Sequence, residues 1–219
     1  MYENGAYLAA NPDWHEGNSE WKASKIVDLL RRNHVVPGSL CEVGCGAGAI
    51  LASLQRTWPE CTLSGFEMSP QAFEICRKKA NDRLTFHHDD VTKHSAAHFD
   101  VLMLIDVFEH VEDYMGLLRK VRPMAHYKVF HVPVDLSALG VAREAMMMAR
   151  ERVGHLHYFT KKTALATFDD CGYQVVDHFY TARGLEIAGP DWKTRLMKLP
   201  RAIAFRLSPD RAALLLGGF

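Results

Sequence analysis

Residues 41–48 read Cys41-Glu42-Val43-Gly44-Cys45-Gly46-Ala47-Gly48, a short apolar run opening into three alternating glycines. Positions without a Cβ let a ligand approach the backbone, and a helix starting behind them adds unpaired N–H groups. A dinucleotide fingerprint sets its third glycine five residues after the first; here Gly48 follows Gly44 by four. Glu42 stands two positions before the first glycine. An acid there disfavours a pyrophosphate and suits a ligand carrying a cationic ammonium. Glu67 ends a second apolar run, at roughly the 20-residue interval expected of a ribose-binding acid, and one carboxylate can accept from both vicinal hydroxyls. Of the twelve histidines, His155 and His157 in Gly154-His155-Leu156-His157-Tyr158-Phe159-Thr160 are candidate general bases. On an extended backbone they would share a side. As metal ligands their HxH spacing lacks a convincing third partner.

These residues need elements to position them. Short apolar runs predict strands over Leu40 to Val43, Thr62 to Phe66, Leu84 to His88, Val101 to Ile105, Val129 to Val134 and Tyr173 to Tyr180. Helical periodicity predicts helices over Glu20 to Arg32, Ala49 to Trp58, Ser69-Pro70 to about Ala80, Glu112 to Arg122 and Thr160 to Cys171. Strand–helix alternation implies a doubly wound, mostly parallel α/β sheet with its ligands at the carboxyl ends of the strands. Two segments stand outside the alternation. Residues 1–19 carry Tyr2, Tyr7 and Trp14 among Gly, Asn and Pro; residues 136–159 insert a helix with Met146, Met147 and Met148. Both read as lids over the ligand edge.

The loop and the acids after it resemble the first motifs of the class I S-adenosylmethionine (SAM)-dependent methyltransferases of the small-molecule branch. SAM has an ammonium, a sulfonium and no phosphate. The resemblance covers roughly residues 38–182 and implies a Rossmann-like three-layer α/β/α fold. It implies that Glu42, Gly44, Cys45, Gly46, Gly48 and Glu67 hold SAM and that Met68 packs on the adenine. It also implies that Asp90, with Asp89 in place of the usual glycine and Val91 behind it, meets the adenine edge. Backbone at Ile105 and Asp106 would line the methionine end, and Glu109-His110 adds His110 as a catalytic candidate. The (D/N/S)PP(Y/F/W) signature of DNA adenine and cytosine-N4 methyltransferases is absent after the fourth strand. The family sheet has seven strands; Leu214 to Phe219 would only begin the last, which is expected to be missing from this chain or replaced by pairing with another molecule.

The resemblance implies methyl transfer to O, N or C of a small organic acceptor, positioned along the S–CH₃ axis. A hydroxyl or protonated amine would need a base. The alternatives are a non-catalytic SAM-binding regulatory module, another SAM-fold transferase, and a nicotinamide-dependent oxidoreductase, which the glycine spacing opposes.

Composition agrees with one globular domain over 219 residues: 48% apolar, 24% charged. The expected parts are a cap over 1–37, the core over 38–182 containing the 136–159 lid, and a tail over 183–219. Twenty-six basic against 26 acidic residues leave no net charge, which argues against a nucleic-acid partner. Five cysteines, an odd number with no CxxC pair, predict free thiols in a reducing compartment. With no signal-like start and no glycine-free apolar run beyond five residues, where a bilayer span needs ~20, a cytoplasmic protein is expected. The stretch from Pro190 onward holds six basic and two acidic residues among apolar ones. It reads as a basic amphipathic element that could touch an anionic or lipid-linked substrate or a membrane surface. Self-association stays open.

Overall fold

The computed structural model describes residues 16–94, 96–186 and 192–218. The chain forms two compact units, Met1–His131 and Val132–Phe219. The predicted aromatic lid residues Tyr2, Tyr7 and Trp14 lie outside the described residues.

The first unit holds the sheet. Its strands are β1 (Ser39–Val43), β2 (Thr62–Phe66), β3 (Leu84–His87), β4 (Phe99–Ile105) and β5 (Ala125–His131). All pair in parallel, in the order β3-β2-β1-β4-β5. Helix α1 (Ser19–Arg32) precedes the sheet. Helices α2 (Ala49–Thr57) and α3 (Pro70–Cys76) make the crossovers on the β1-to-β3 side, and α4 (Tyr114–Val121) joins β4 to β5. The winding direction reverses between β1 and β4. Right-handed crossovers therefore set α2 and α3 on one face and α4 on the other.

Strand β1 is central, with Val43 facing Phe66 on one neighbour and Leu104 on the other. Leu40, Cys41, Leu102, Met103 and Leu104 are fully buried, as a strand covered on both faces requires. Ala23, Ile26, Val27 and Leu30 of α1 join Leu51 and Leu54 of α2 in that core. The Asp100 carboxylate accepts from the N–H groups of Gly38 and Ser39, each at 2.8 Å, and its own N–H donates to Ser39 Oγ at 2.9 Å. These bonds lock the starts of β1 and β4 in register, so their ends arrive together.

Ser69 caps α3 through its side chain, with Pro70 at the first helical position, as predicted. Two strand predictions need correction. The fifth strand is Ala125–His131 rather than 129–134. It pairs in the sheet with β4 alone, so polar His126 is tolerated on an outward side, while Pro133 has no N–H for a ladder. No strand forms over 173–180. Val175 and Val176 are adjacent and both exposed, so the segment buries no alternating face that would set a register.

The second unit is helical among its described residues. It contains α5 (Ala138–Ala142), α6 (Ala145–Val153), α7 (Lys161–Asp170), α8 (Arg183–Glu186), α9 (Trp192–Leu207) and α10 (Pro209–Leu216). The expected single lid helix is two, divided at Glu144, whose φ is +55°. Leu214 to Leu216 are helical, so no seventh strand begins there, in keeping with the expectation that this chain lacks it. No described helix is long and apolar enough to cross a membrane.

Candidate cofactor site

At the end of β1 the chain turns through Gly44, Gly46 and Gly48, all with positive φ. The turn at Gly48 requires glycine twice over. Its φ is +73°, and a Cβ there would sit 2.6 Å from the Phe86 ring and 2.9 Å from Cys76 Cβ. The loop is stitched to the end of β2: Gly44 N–H and Cys45 N–H donate to the Phe66 carbonyl at 2.8 and 3.1 Å. Gly46 N–H donates to Glu67 Oε2 at 2.8 Å, and Ser69 N–H to Glu67 Oε1 at 2.7 Å. Glu67 is 8% exposed. Burial raises its pKa, against the lowering effect of the backbone N–H groups of Ser69 and Gly46. Cys45 and Cys76 are both buried, and the Cys76 thiol donates to the Phe73 carbonyl at 3.4 Å.

Glu42 is buried, and its Oε2 has no hydrogen-bond partner among the described residues. Burial pushes its pKa up to about 8; the charge of Lys22 pulls it down and that of Glu67 pushes it further up. A buried carboxyl oxygen without a donor is costly unless the acid is protonated or a cation joins it. Beside the glycine loop, that is the electrostatic complement of an ammonium.

The end of β3 is held by local bonds. Asp90 accepts from Thr92 N–H at 2.8 Å and so caps the 3-10 turn Val91–Lys93, with Val91 buried. Asp89 accepts from Lys93 Nζ at 2.7 Å, His94 Nε2 at 3.0 Å and Asp90 N–H at 2.8 Å. Led by the Lys93 bond, these donors hold its carboxyl well below the usual range. Met68 is 64% exposed, and its carbonyl meets His88 Nε2 at 3.1 Å.

The end of β4 carries an arrangement that sequence reasoning missed. Ile105 is buried opposite His131. The next residue, Asp106, has φ +54° and donates its N–H to the His131 carbonyl at 3.1 Å. Its carboxylate accepts from Lys22 Nζ at 2.5 Å through Oδ2 and from His131 Nδ1 through Oδ1. Burial alone would raise the Asp106 pKa. The charges and hydrogen bonds of His131 and Lys22 outweigh it and hold the carboxyl well below its ordinary value. The Trp21 ring stands edge-on to His131 at 6.4 Å.

Neither Lys22 nor His131 is among the candidate residues read from the sequence. A signal for His131 was present: it ends a strand on the ligand-binding edge. Extending β5 to residue 134 hid that.

Further along the same unit, Glu109 is buried and its Oε1 lies 3.9 Å from His110 Nε2. His155 and His157 belong to the second unit. His155 is buried with Nδ1 3.1 Å from Asp135 Oδ2, while the Tyr158 hydroxyl donates to its carbonyl at 3.0 Å and to that of Met146 at 2.8 Å. His157 is half-buried, and the segment forms no strand.

A parallel α/β sheet whose central strand ends in a glycine hairpin between two buried carboxylates defines a nucleoside-binding class of fold. A family profile described as "Methyltransferase domain" matches residues 14–178. The chain belongs to that family and has the class I methyltransferase fold. It is 24% identical over 128 residues to the ubiquinone biosynthesis O-methyltransferase of Actinobacillus pleuropneumoniae serotype 5b, covering 51% of this chain and 54% of that protein. It is 26% identical over 130 residues to the protein so named from Vibrio cholerae, covering 52% of each. The chain thus spans about half the length of the curated relatives it matches. Among solved structures, an O-methyltransferase family protein from Burkholderia thailandensis superposes with a TM-score of 0.56 at 15% identity, over 75% of this chain and 55% of that one.

Proposed function

We propose that the protein is a cytoplasmic methyltransferase that moves a methyl group from SAM to a small organic acceptor. The observation that carries this reading is the glycine hairpin set between Glu42 and Glu67, with Glu42 Oε2 buried and lacking a donor. The family membership supports it. The relatives' name as O-methyltransferases favours oxygen as the atom methylated.

These residues fit SAM. A buried acid beside the loop suits its ammonium, and the positive φ at Gly44, Gly46 and Gly48 bends the backbone into the tight turn that a nucleoside site at a strand end uses. Glu42 would hold the ammonium, Glu67 the ribose hydroxyls, and Asp89, Asp90, Val91 and Met68 the adenine. Cys45, Gly46, Ile105 and Asp106 would offer backbone along the methionine moiety. When bound, SAM supplies an electrophilic methyl on a sulfonium with a good leaving group.

The chain's own work is then orientation and proton management. Asp106 holds the His131 ring by Nδ1, and a carboxylate at Nδ1 favours the tautomer with its lone pair on Nε2. His131 is therefore a base candidate alongside His110, His155 and His157. The buried thiols support a reducing compartment. The basic tail would contact an anionic or lipid-linked acceptor, and the protein would not bind nucleic acid.

Calorimetry with SAM, S-adenosylhomocysteine and NAD tests the cofactor class: both sulfur nucleosides should bind and NAD should not. Labelled methyl transfer to a panel of phenols, sugars and amines tests the activity. Binding without turnover on any acceptor would favour a regulatory SAM-binding module instead.

A further inference from the structure

Helix α9 is held in its own unit by one side. The Phe205 ring packs edge-on against Tyr180 at 5.7 Å, and the Arg201 guanidinium donates to the Gly217 carbonyl. A different side carries Leu196, Leu199, Ile203 and Leu207, exposed by 56, 51, 59 and 82%. Their spacing of three, four and four places them within one narrow arc of the helix. The eleven steps from Leu196 to Leu207 at 1.5 Å each make this an apolar ridge about 16 Å long. Leu214 and Leu215 of α10 are also more than half exposed.

Apart from Asp210, the described charged residues of α9 and α10 are basic. Arg206 and Arg211 are exposed and Lys198 is half-buried. The described acid of these two helices, Asp210, accepts from Lys161 Nζ and from the Tyr180 hydroxyl, so its charge is already matched. An apolar ridge edged by cations, on a chain with no spanning helix among its described residues, has the make-up of a helix that lies in a membrane interface.

We propose that the α9–α10 face docks on a lipid surface bearing anionic headgroups. Leu196, Leu199, Ile203 and Leu207 enter the acyl boundary while the flanking cations meet the headgroups. A second copy fits less well, because ridge-to-ridge contact would bring like charges together. This docking stands apart from the methyl-transfer reading and would survive its failure.

The test is sedimentation of the full chain with vesicles of phosphatidylcholine alone, and of phosphatidylcholine mixed with phosphatidylglycerol. The protein should pellet with the mixed vesicles only, and less so as salt is raised. Ile203→Asp and Leu199→Asp should each lower partitioning about tenfold, the equivalent of withholding one large apolar side chain from burial. Arg206→Gln should lower it about fivefold. An unchanged thermal midpoint shows that each variant is folded. Equal binding to pure phosphatidylcholine, no binding to either vesicle, or full binding by both Asp variants would overturn the proposal. So would a lipid-free dimer, seen by sedimentation velocity, that the Asp variants dissociate.

Discussion

Gly46 donates its backbone N–H to the Glu67 carboxylate at 2.8 Å, which ties the hairpin after β1 to the end of β2. The same carboxylate takes the N–H of Ser69 at the start of α3. One buried side chain thus ties the glycine turn to the start of α3 and spaces the two elements. Glu67→Ala leaves two donors without their acceptor. It should lower stability by about 2 kcal/mol, read as a fall in the urea midpoint, and weaken SAM binding about a hundredfold or more. Glu67→Gln keeps an acceptor oxygen and should recover part of the stability. A Glu67→Ala variant with full SAM affinity would refute the ribose assignment.

Glu42 makes the site pH-sensitive. Its pKa stands near 8 in the fold against an ordinary 4.5, so between those values the folded chain keeps a proton that the unfolded chain has lost. The stability it contributes is fully present below 4.5 and is lost as pH rises through about 8. The slope is at most about 1.4 kcal/mol per pH unit. Glu42→Gln should flatten that slope in pH-dependent denaturation. A ligand ammonium favours the ionised acid, so SAM binding should release a proton near neutral pH and tighten as pH rises. Calorimetry in buffers of different ionisation enthalpy reads the proton directly; no proton exchange would remove Glu42 from the ammonium site.

Asp106 has the opposite sign. Its carboxyl is held below the ordinary 3.8, so its contribution is present above that value and is lost as pH falls. Asp106→Asn tolerates the left-handed backbone but removes the charge facing Lys22 and His131. Stability at neutral pH should fall by about 2 kcal/mol, and methyl transfer should fall more in kcat than in KM for SAM. An unchanged kcat would dissociate the Asp106–His131 pair from catalysis.

Gly48→Ala tests the hairpin. The added Cβ meets Phe86 at 2.6 Å and the backbone is left-handed, so a loss of about 3 kcal/mol is expected. Adding Phe86→Leu should restore only the part due to crowding. Full recovery of the melting temperature in the double variant would show that the φ angle costs nothing.

Residues adjacent in sequence carried most of what could be read beforehand. The Glu42–Gly48 segment displays its chemistry because a glycine turn and the acid before it are local features. Strands β1 and β4 announce themselves by runs buried on both faces, while β2 and β3 are shorter and more exposed and are legible from their place between helices. The apolar residues at 173–180 carried no such warrant, since a run of hydrophobic side chains specifies a strand only when a neighbouring strand takes its hydrogen bonds.

What the sequence determined by itself is the glycine hairpin, its flanking acids and the alternation that builds a parallel sheet, all written within one or two turns of chain. Only the tertiary structure decided that Lys22, Asp106 and His131 meet. They come from α1, the end of β4 and the end of β5, and parallel strands separated by crossovers leave no trace in sequence of which ends will lie side by side. Strand order supplies that meeting, and burial then sets the charge states of Glu42 and Asp106 in opposite directions.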